Sequence, residues 1–293
     1  MWSISGARYV VLEDRGVLAI GGPDRIGFLQ GLVSNDVSRI NGERAIYAAL
    51  LTAQGKYLHD FMLAERDGVI WLDGEAARLA DLKRRLTMYR LRAKATIDDR
   101  PDLAVAAVFG AALPEDLGAV APLGDGIAFV DPRLAALGVR VIVPRDKIRA
   151  ALDDAGAVEA DFAEFDRLRL GLGVPDGSRD LVLDKSILLE SGFDELHGVD
   201  GEKGCYIGQE LTARTKYRGL IKKRLFPVTI DGTTPAPGTL ITIDGREAGE
   251  MRSSREGIGL ALLRLDAIEK RATLAAGDAT VRPTPTPWMR LPE

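Results

Sequence analysis

The single cysteine of the 293-residue chain stands in the run Lys203-Gly204-Cys205-Tyr206-Ile207-Gly208-Gln209-Glu210. A lone thiol forms no intrachain disulfide and builds no four-cysteine metal site. Lys203, if its ammonium lies close, favours the thiolate, which is the nucleophilic and metal-binding form. Gly204 and Gly208 permit positive φ angles and close approach of a ligand to the backbone. Gln209 and Glu210 can hydrogen-bond a planar heterocycle or orient a partner. Such surroundings present a reactive side chain, whereas the ordinary fate of a free thiol is burial in a core. Downstream, Arg214, Lys216, Arg218, Lys222, Lys223 and Arg224 form a basic run with no acid between them. It suits an anionic tail or an acidic partner, and equally a solvated face or a charge-blunted strand edge.

The remaining candidates are fewer. Lys83-Arg84-Arg85 with Arg90, Arg92 and Lys94 make a second basic cluster, for which partnership with a helix C-terminus is the simpler reading. Too few aromatics (Tyr89, Tyr206, Tyr217) lie near the two clusters to signal a nucleic-acid surface. His59 and His197 form no recognised metal pattern with Cys205. No nucleophile elbow, phosphate-cradling loop or dinucleotide fingerprint occurs at useful spacing. Asn35-Asp36 reads locally as a cap and turn.

These residues must be positioned by a folded scaffold. Hydrophobic residues make up 46% of the chain and charged residues 28%, values ordinary for a globular protein of two or three domains. The formal net charge of -4 argues against a general polyanion binder. No stretch has the apolar length of a membrane span, and the opening Met1-Trp2-Ser3-Ile4-Ser5-Gly6 lacks the regions of a secretory signal. With one cysteine, the expectation is a soluble cytoplasmic protein.

Residues 8–20 read as a strand pair around the turn Glu13-Asp14-Arg15-Gly16, and Asp24 as the N-cap of a helix carrying Ile26, Phe28, Leu29 and Leu32. Strands are expected over 45–63 and 69–72, and an amphipathic helix from Glu75 to Met88. Arg90 to Ile97 alternates at period two, as a half-buried strand does. Mixed strand and helix signals run from Ala104 to Ala157, then a helix from Phe162 to Leu172, while 176–200 is irregular. After Phe226 short apolar runs separated by Gly, Pro and Asp turns indicate a small antiparallel barrel or sandwich. The boundary is placed at 225: an α+β region over 1–225 in two interleaved domains, and a barrel domain over 226–293.

Several stretches together resemble one family. Residues 203–210, extended through Leu211-Thr212-Ala213-Arg214 to Arg218-Gly219, resemble the signature of the YgfZ family of folate-binding iron–sulfur proteins. The longer match through Lys223-Arg224-Leu225-Phe226-Pro227-Val228 resembles its mitochondrial iron–sulfur assembly branch most closely. Phe28-Leu29-Gln30-Gly31 with Asn35-Asp36-Val37, and Tyr89-Arg90-Leu91-Arg92-Ala93-Lys94, resemble segments shared with the glycine-cleavage T-protein. The matches span residues 17–228, and the octapeptide around Cys205 is the most specific of them.

The resemblance implies a T-protein-like ring of three domains around a folate-sized hole, with a C-terminal antiparallel β-barrel. It implies tetrahydrofolate as cofactor and a role in assembly or repair of [4Fe-4S] clusters, with A-type cluster carriers and client enzymes as partners and no membrane or nucleic acid. In that setting Cys205 is the reactive group, a ligand to a cluster shared between chains, with Lys203 tuning its charge. Asn35, Asp60, Tyr206, Gly208, Gln209, Glu210 and Arg214 are the residues assigned to the cofactor and its loop.

Two departures weigh against aminomethyl transfer. In the turn Gln54-Gly55-Lys56-Tyr57-Leu58-His59-Asp60 a histidine replaces one acid of the T-protein pair. In Arg169-Leu170-Gly171-Leu172-Gly173-Val174-Pro175 a glycine replaces the pterin-binding glutamate, removing a bidentate acceptor and a general base. The alternative readings are a tetrahydrofolate-dependent one-carbon transferase, including one acting on RNA, and a folate-binding module in which Cys205 is structural.

Overall fold

The computed structural model describes residues 4–110, 112–219, 221–269 and 273–290. Met1, Trp2 and Ser3 of the N-terminal reading and the Arg218 side chain of the basic run lie outside it. The chain forms two compact units. The first takes the residues up to Leu51, Leu58–Phe162 and Leu196–Gln209; the second takes Thr52–Tyr57, Ala163–Glu195 and the residues from Glu210 onward.

The first unit is built on two sheets. One has the order β11-β1-β7-β10-β9-β8, from β1 (Arg8–Val11), β7 (Leu103–Phe109), β8 (Val120–Leu123), β9 (Gly126–Val130), β10 (Val139–Pro144) and β11 (Val158–Glu159). The run Leu103-Ala104-Val105-Ala106-Ala107-Val108-Phe109 is buried throughout, the pattern of a central strand covered on both faces. The other sheet has the order β3-β4-β5-β2-β6, from β2 (Arg15–Gly21), β3 (Ile46–Leu51), β4 (Tyr57–Arg66), β5 (Val69–Glu75) and β6 (Thr96–Asp99). Its core joins Leu18, Ile20, Leu50, Phe61, Leu63 and Leu72 to helices α1 (Arg25–Gln30) and α2 (Leu79–Arg90). Helix α3 (Ile148–Asp154) packs Ile148 and Leu152 against the first sheet.

Three local expectations change. β1 and β2 are both strands but pair in different sheets, so the 8–20 segment is not a hairpin. Asp24 makes no side-chain cap of α1; its carboxylate instead accepts the Lys94 backbone N–H at 2.7 Å, tying the start of α1 to the segment before β6. The period-two stretch from Arg90 is a strand only from Thr96, because α2 runs to Arg90 and Leu91 turns the chain at φ +43. Alternating apolar and basic residues mimicked a strand where the backbone makes a helix end.

The second unit centres on a closed antiparallel barrel in the order β12-β15-β14-β13-β16-β17. Its strands are β12 (Lys223–Asp231), β13 (Leu240–Ile243), β14 (Arg246–Arg255), β15 (Ile258–Arg264), β16 (Leu274–Ala276) and β17 (Ala279–Pro283). Phe226, Met251, Leu263 and Val281 fill its interior, and closure leaves it no free sheet edge. Helices α4 (Phe162–Gly171), α5 (Gly177–Asp180) and α6 (Gln209–Arg218) precede it in the chain. Among the described residues no helix is long and apolar enough to cross a membrane.

Candidate functional site

Cys205 is exposed. Its presentation begins far away in sequence, at the end of α1. After Gln30 the chain turns through Gly31 to Asp36, and Gln30 locks that turn at both ends of its amide. Its Oε1 accepts the Val37 N–H at 2.7 Å and its Nε2 donates to Asp36 at 2.9 Å. Asp36 also accepts from Ser38 N–H and Oγ, and these bonds hold its carboxyl below the ordinary range.

Residues 197–207 are stitched onto this turn from end to end. Asn35 Nδ2 donates to the His197 and Tyr47 carbonyls at 2.7 and 2.8 Å, and its Oδ1 accepts Asp36 N–H. Ser34 Oγ donates to the Gly198 carbonyl, and the Asp200 N–H returns to the Ser34 carbonyl at 3.0 Å. The Asp200 carboxylate accepts the Glu202 and Lys203 N–H groups, making a tight turn. Ile207 donates its N–H to the Gly31 carbonyl at 3.2 Å and packs on the core of the second sheet. Cys205 therefore rides on a short arch between two fixed footings, at Lys203 and Ile207.

Lys203 does something other than expected. Its Nζ donates to the carbonyls of Gln30, Val33 and Asn35 at 2.8, 2.6 and 2.7 Å. All three ammonium protons are thus engaged on the turn. Burial pushes its pKa down to about 8, against the opposing pull of Asp36 and Asp200, so the group is charged at neutral pH. Gly208 has φ +83 and needs glycine, whereas a side chain at Gly204 would meet nothing within 4 Å. Tyr206 N–H donates to Gln209 Oε1 at 2.9 Å, so Gln209 shapes the entry to α6. Glu210 and Arg214 are exposed on α6 and belong to the second unit.

Two of the residues assigned to folate, Asn35 and Asp60, meet at Tyr47. In β4 the neighbours His59 and Asp60 point to opposite faces. Asp60 accepts the Tyr47 hydroxyl at 2.8 Å, and Arg133 lies 5.4 Å from the Tyr47 ring centre. Burial, reinforced by the Asp60 charge, raises the Tyr47 phenol well above its ordinary pKa. Beside this pair a cavity of about 470 Å³ is lined by Asn35, Arg39, Arg44, Tyr47 and His197 among others. That volume is of ligand size. Arg39 and Arg44 on its lining are partly exposed guanidinium groups that already hold Asp200 and Asp116 at 2.6 and 2.9 Å, so an anionic ligand there would share or displace those carboxylates. Asn35, by contrast, has both amide protons committed to backbone carbonyls and holds the loop.

His59, standing where the T-protein carries an acid, hydrogen-bonds Asp81 at 3.0 Å. Burial first, then the Arg78 charge, outweigh Asp81 and lower its pKa to about 4. At neutral pH it is an uncharged structural imidazole. The unfolded chain takes up this proton near pH 6.5 and the folded chain only near pH 4, so stability falls as pH falls through that window. The expected loss is about 3 kcal/mol, from 1.36 kcal/mol per pKa unit. Urea unfolding at pH 7 and 4.5 of the wild type and His59→Asn checks it; an unchanged pH slope in the variant would contradict the assignment.

The second unit holds a buried ionic network that sequence reading missed. Arg169 joins Asp166 and Asp180 at 2.8 and 2.5 Å, and Asp166 also accepts from Arg179 and Arg255 at 3.0 and 2.7 Å. Burial alone would raise Asp166; Arg179, Arg169 and Arg255 hold it down to about 2. Between Arg169 and Asp180 lie Gly171 and Gly173. A β-carbon added at Gly171 would meet nothing within 4 Å, whereas one at Gly173, where φ is +76, would meet the Pro227 ring at 3.1 Å. Among the described residues no group of three or more His, Cys, Asp or Glu is placed to hold a metal ion.

The two-sheet unit and the barrel-bearing unit together define an aminomethyltransferase-type fold. The structure matches the crystal structure of the glycine cleavage system aminomethyltransferase T from Bartonella henselae with a TM-score of 0.78, covering 98% of this chain and 87% of that one. At 15% identity this likeness establishes the fold. Residues 222–291 match the family model of the CAF17 C-terminal β-barrel domain.

Among relatives, the mitochondrial iron–sulfur cluster assembly factor IBA57 of Mus musculus is 36% identical over 284 residues, covering 88% of this chain and 78% of the relative. That of Homo sapiens is 34% identical over 308 residues, covering 94% and 84%. The chain belongs to the IBA57 family of iron–sulfur cluster assembly factors. These relatives are named as mitochondrial proteins, which overturns the expectation of a cytoplasmic location drawn from composition and the N-terminus. A chain with one cysteine is compatible with more than one compartment, so the count does not distinguish among them.

Proposed function

We propose that the chain is an accessory factor for assembly of [4Fe-4S] clusters and that Cys205 is its working group. The observation that carries this reading is the arch: an exposed sole thiol held between Lys203 and Ile207, in a family whose relatives are named as iron–sulfur cluster assembly factors. Thiolate is the preferred protein ligand of iron–sulfur clusters. A single thiolate on a rigid loop cannot enclose a cluster, but it can complete the ligand set of one carried by a partner. The cluster is then cargo, and a cluster carrier and a client enzyme are the partners.

Tetrahydrofolate belongs to this proposal as the cofactor. Arg39 and Arg44 would hold its carboxylates, with Tyr47 and Asp60 behind the cavity wall. Bound, it supplies a one-carbon carrier and reducing capacity. Aminomethyl transfer is disfavoured because His59 is neutral and spent on Asp81, and because the stretch from Arg169 to Pro175 holds no carboxylate.

Deleting the chain from cells that make it should lower the activity of [4Fe-4S] enzymes several-fold while leaving enzymes without clusters unchanged. Equal activities with and without the chain would refute the proposal.

A further inference from the structure

The three carbonyls that receive Lys203 form a cage of a particular kind. Gln30, the last residue of α1, and Val33 and Asn35 in the turn beyond it direct their carbonyl oxygens to one point. The Tyr206 ring closes the cage, its centre 5.1 Å from Nζ. Carbonyl oxygens and an aromatic face are the groups that replace the hydration shell of a weakly hydrated monovalent cation. The acceptors lie 168 to 173 residues from Lys203 in sequence, so the ammonium is the tie between two distant segments.

We propose that this cage is a monovalent-cation site which the chain fills with its own lysine, and that Lys203 is a positioning residue for Cys205. The cation fixes where the arch leaves the protein. It does so by binding the turn, two residues before the thiol, without contact to sulfur. Emptied of the lysine, the cage should accept ammonium or potassium, which resemble the lysine head in size and hydration. The link to cluster chemistry rests on the proposed role of Cys205; the cation site itself rests on the geometry alone.

The test uses full-length Lys203→Ala and Lys203→Met chains, with hydrogen exchange of the amides in 203–207 and the alkylation rate of Cys205 by iodoacetamide as readouts. In sodium chloride both variants should exchange about tenfold or more faster than the wild type, the equivalent of one lost hydrogen bond to a charged group. Ammonium or potassium chloride at the same ionic strength should restore protection and the wild-type alkylation rate in Lys203→Ala. Tetramethylammonium should not, and Lys203→Met, whose side chain occupies the channel, should not respond. Equal behaviour of Lys203→Ala in sodium and ammonium salts, or wild-type exchange in that variant, would overturn the proposal. If Lys203→Ala does not fold, Lys203→Gln, which keeps two N–H donors, must show intermediate exchange and partial ammonium rescue; no response there would equally overturn it. None of these readouts involves iron, so failure of the cluster-assembly reading would show separately.

Discussion

Cells relying on a Cys205→Ala chain should lose the activity of [4Fe-4S] enzymes as fully as cells lacking the chain, by several-fold. The substitution removes one sulfur from an exposed arch and touches no core residue. The footings of the arch remain: Lys203 on its three carbonyls, Ile207 on Gly31 and the core, and Asp200 in its turn. Surface substitutions of this sort change stability by about 0.5 kcal/mol or less. A large functional loss without loss of folded protein therefore reports on the sulfur itself. Cys205→Ser should fail as well, because a hydroxyl is a poor iron–sulfur ligand and is not ionised at neutral pH. The measurement is the activity of a [4Fe-4S] enzyme in cells under oxidative stress, with chain abundance followed in parallel.

The second large effect is on stability. Asp180→Ala should cost about 3–5 kcal/mol, the range for removing one partner of a buried ion pair. Asp180 is 3% exposed and Arg169 4%. The carboxylate receives Arg169 at 2.5 Å, the Asp176 N–H at 2.9 Å, and both the N–H and hydroxyl of Ser253. Removing it leaves Arg169 with Asp166 as its remaining carboxylate partner and takes the acceptor from the Asp176 and Ser253 backbone N–H groups. Asp180→Asn keeps an acceptor oxygen without the charge and should lose less. Urea unfolding monitored by hydrogen exchange in β14 and α4 checks both; a loss under about 1 kcal/mol for the alanine variant would mean that Asp166 alone satisfies Arg169.

An all-strand C-terminal domain was legible because its short apolar runs are punctuated by Gly, Pro and Asp. α2 was legible because Leu79, Leu82 and Leu86 recur at helical spacing. Strands β1 and β2 were legible singly, but not their partners: nothing local in Arg8–Val11 and Arg15–Gly21 says that they enter different sheets. The cysteine loop was legible as a feature, and the role of its lysine was not. Spacing places Lys203 two residues from Cys205 and suggests action on the thiol, whereas its acceptors come from a turn near residue 33. The signal lay in two motifs read apart, Phe28-Leu29-Gln30-Gly31 with Asn35-Asp36, and Lys203 to Gln209, which fold as one piece. The Arg169 network escaped notice because charged residues in a helix read as solvated until neighbours from β14 and α5 bury them.

The central claim is that the Cys205 sulfur completes the ligand set of a cluster brought by another protein. It is tested most directly by mixing the purified chain with a cluster-loaded carrier under anaerobic conditions. Visible circular dichroism and iron content are then followed for wild type, Cys205→Ala and Cys205→Ser. A new cluster spectrum that co-purifies with the wild-type chain and is absent from both variants is the predicted result. An identical spectrum with all three proteins would contradict it.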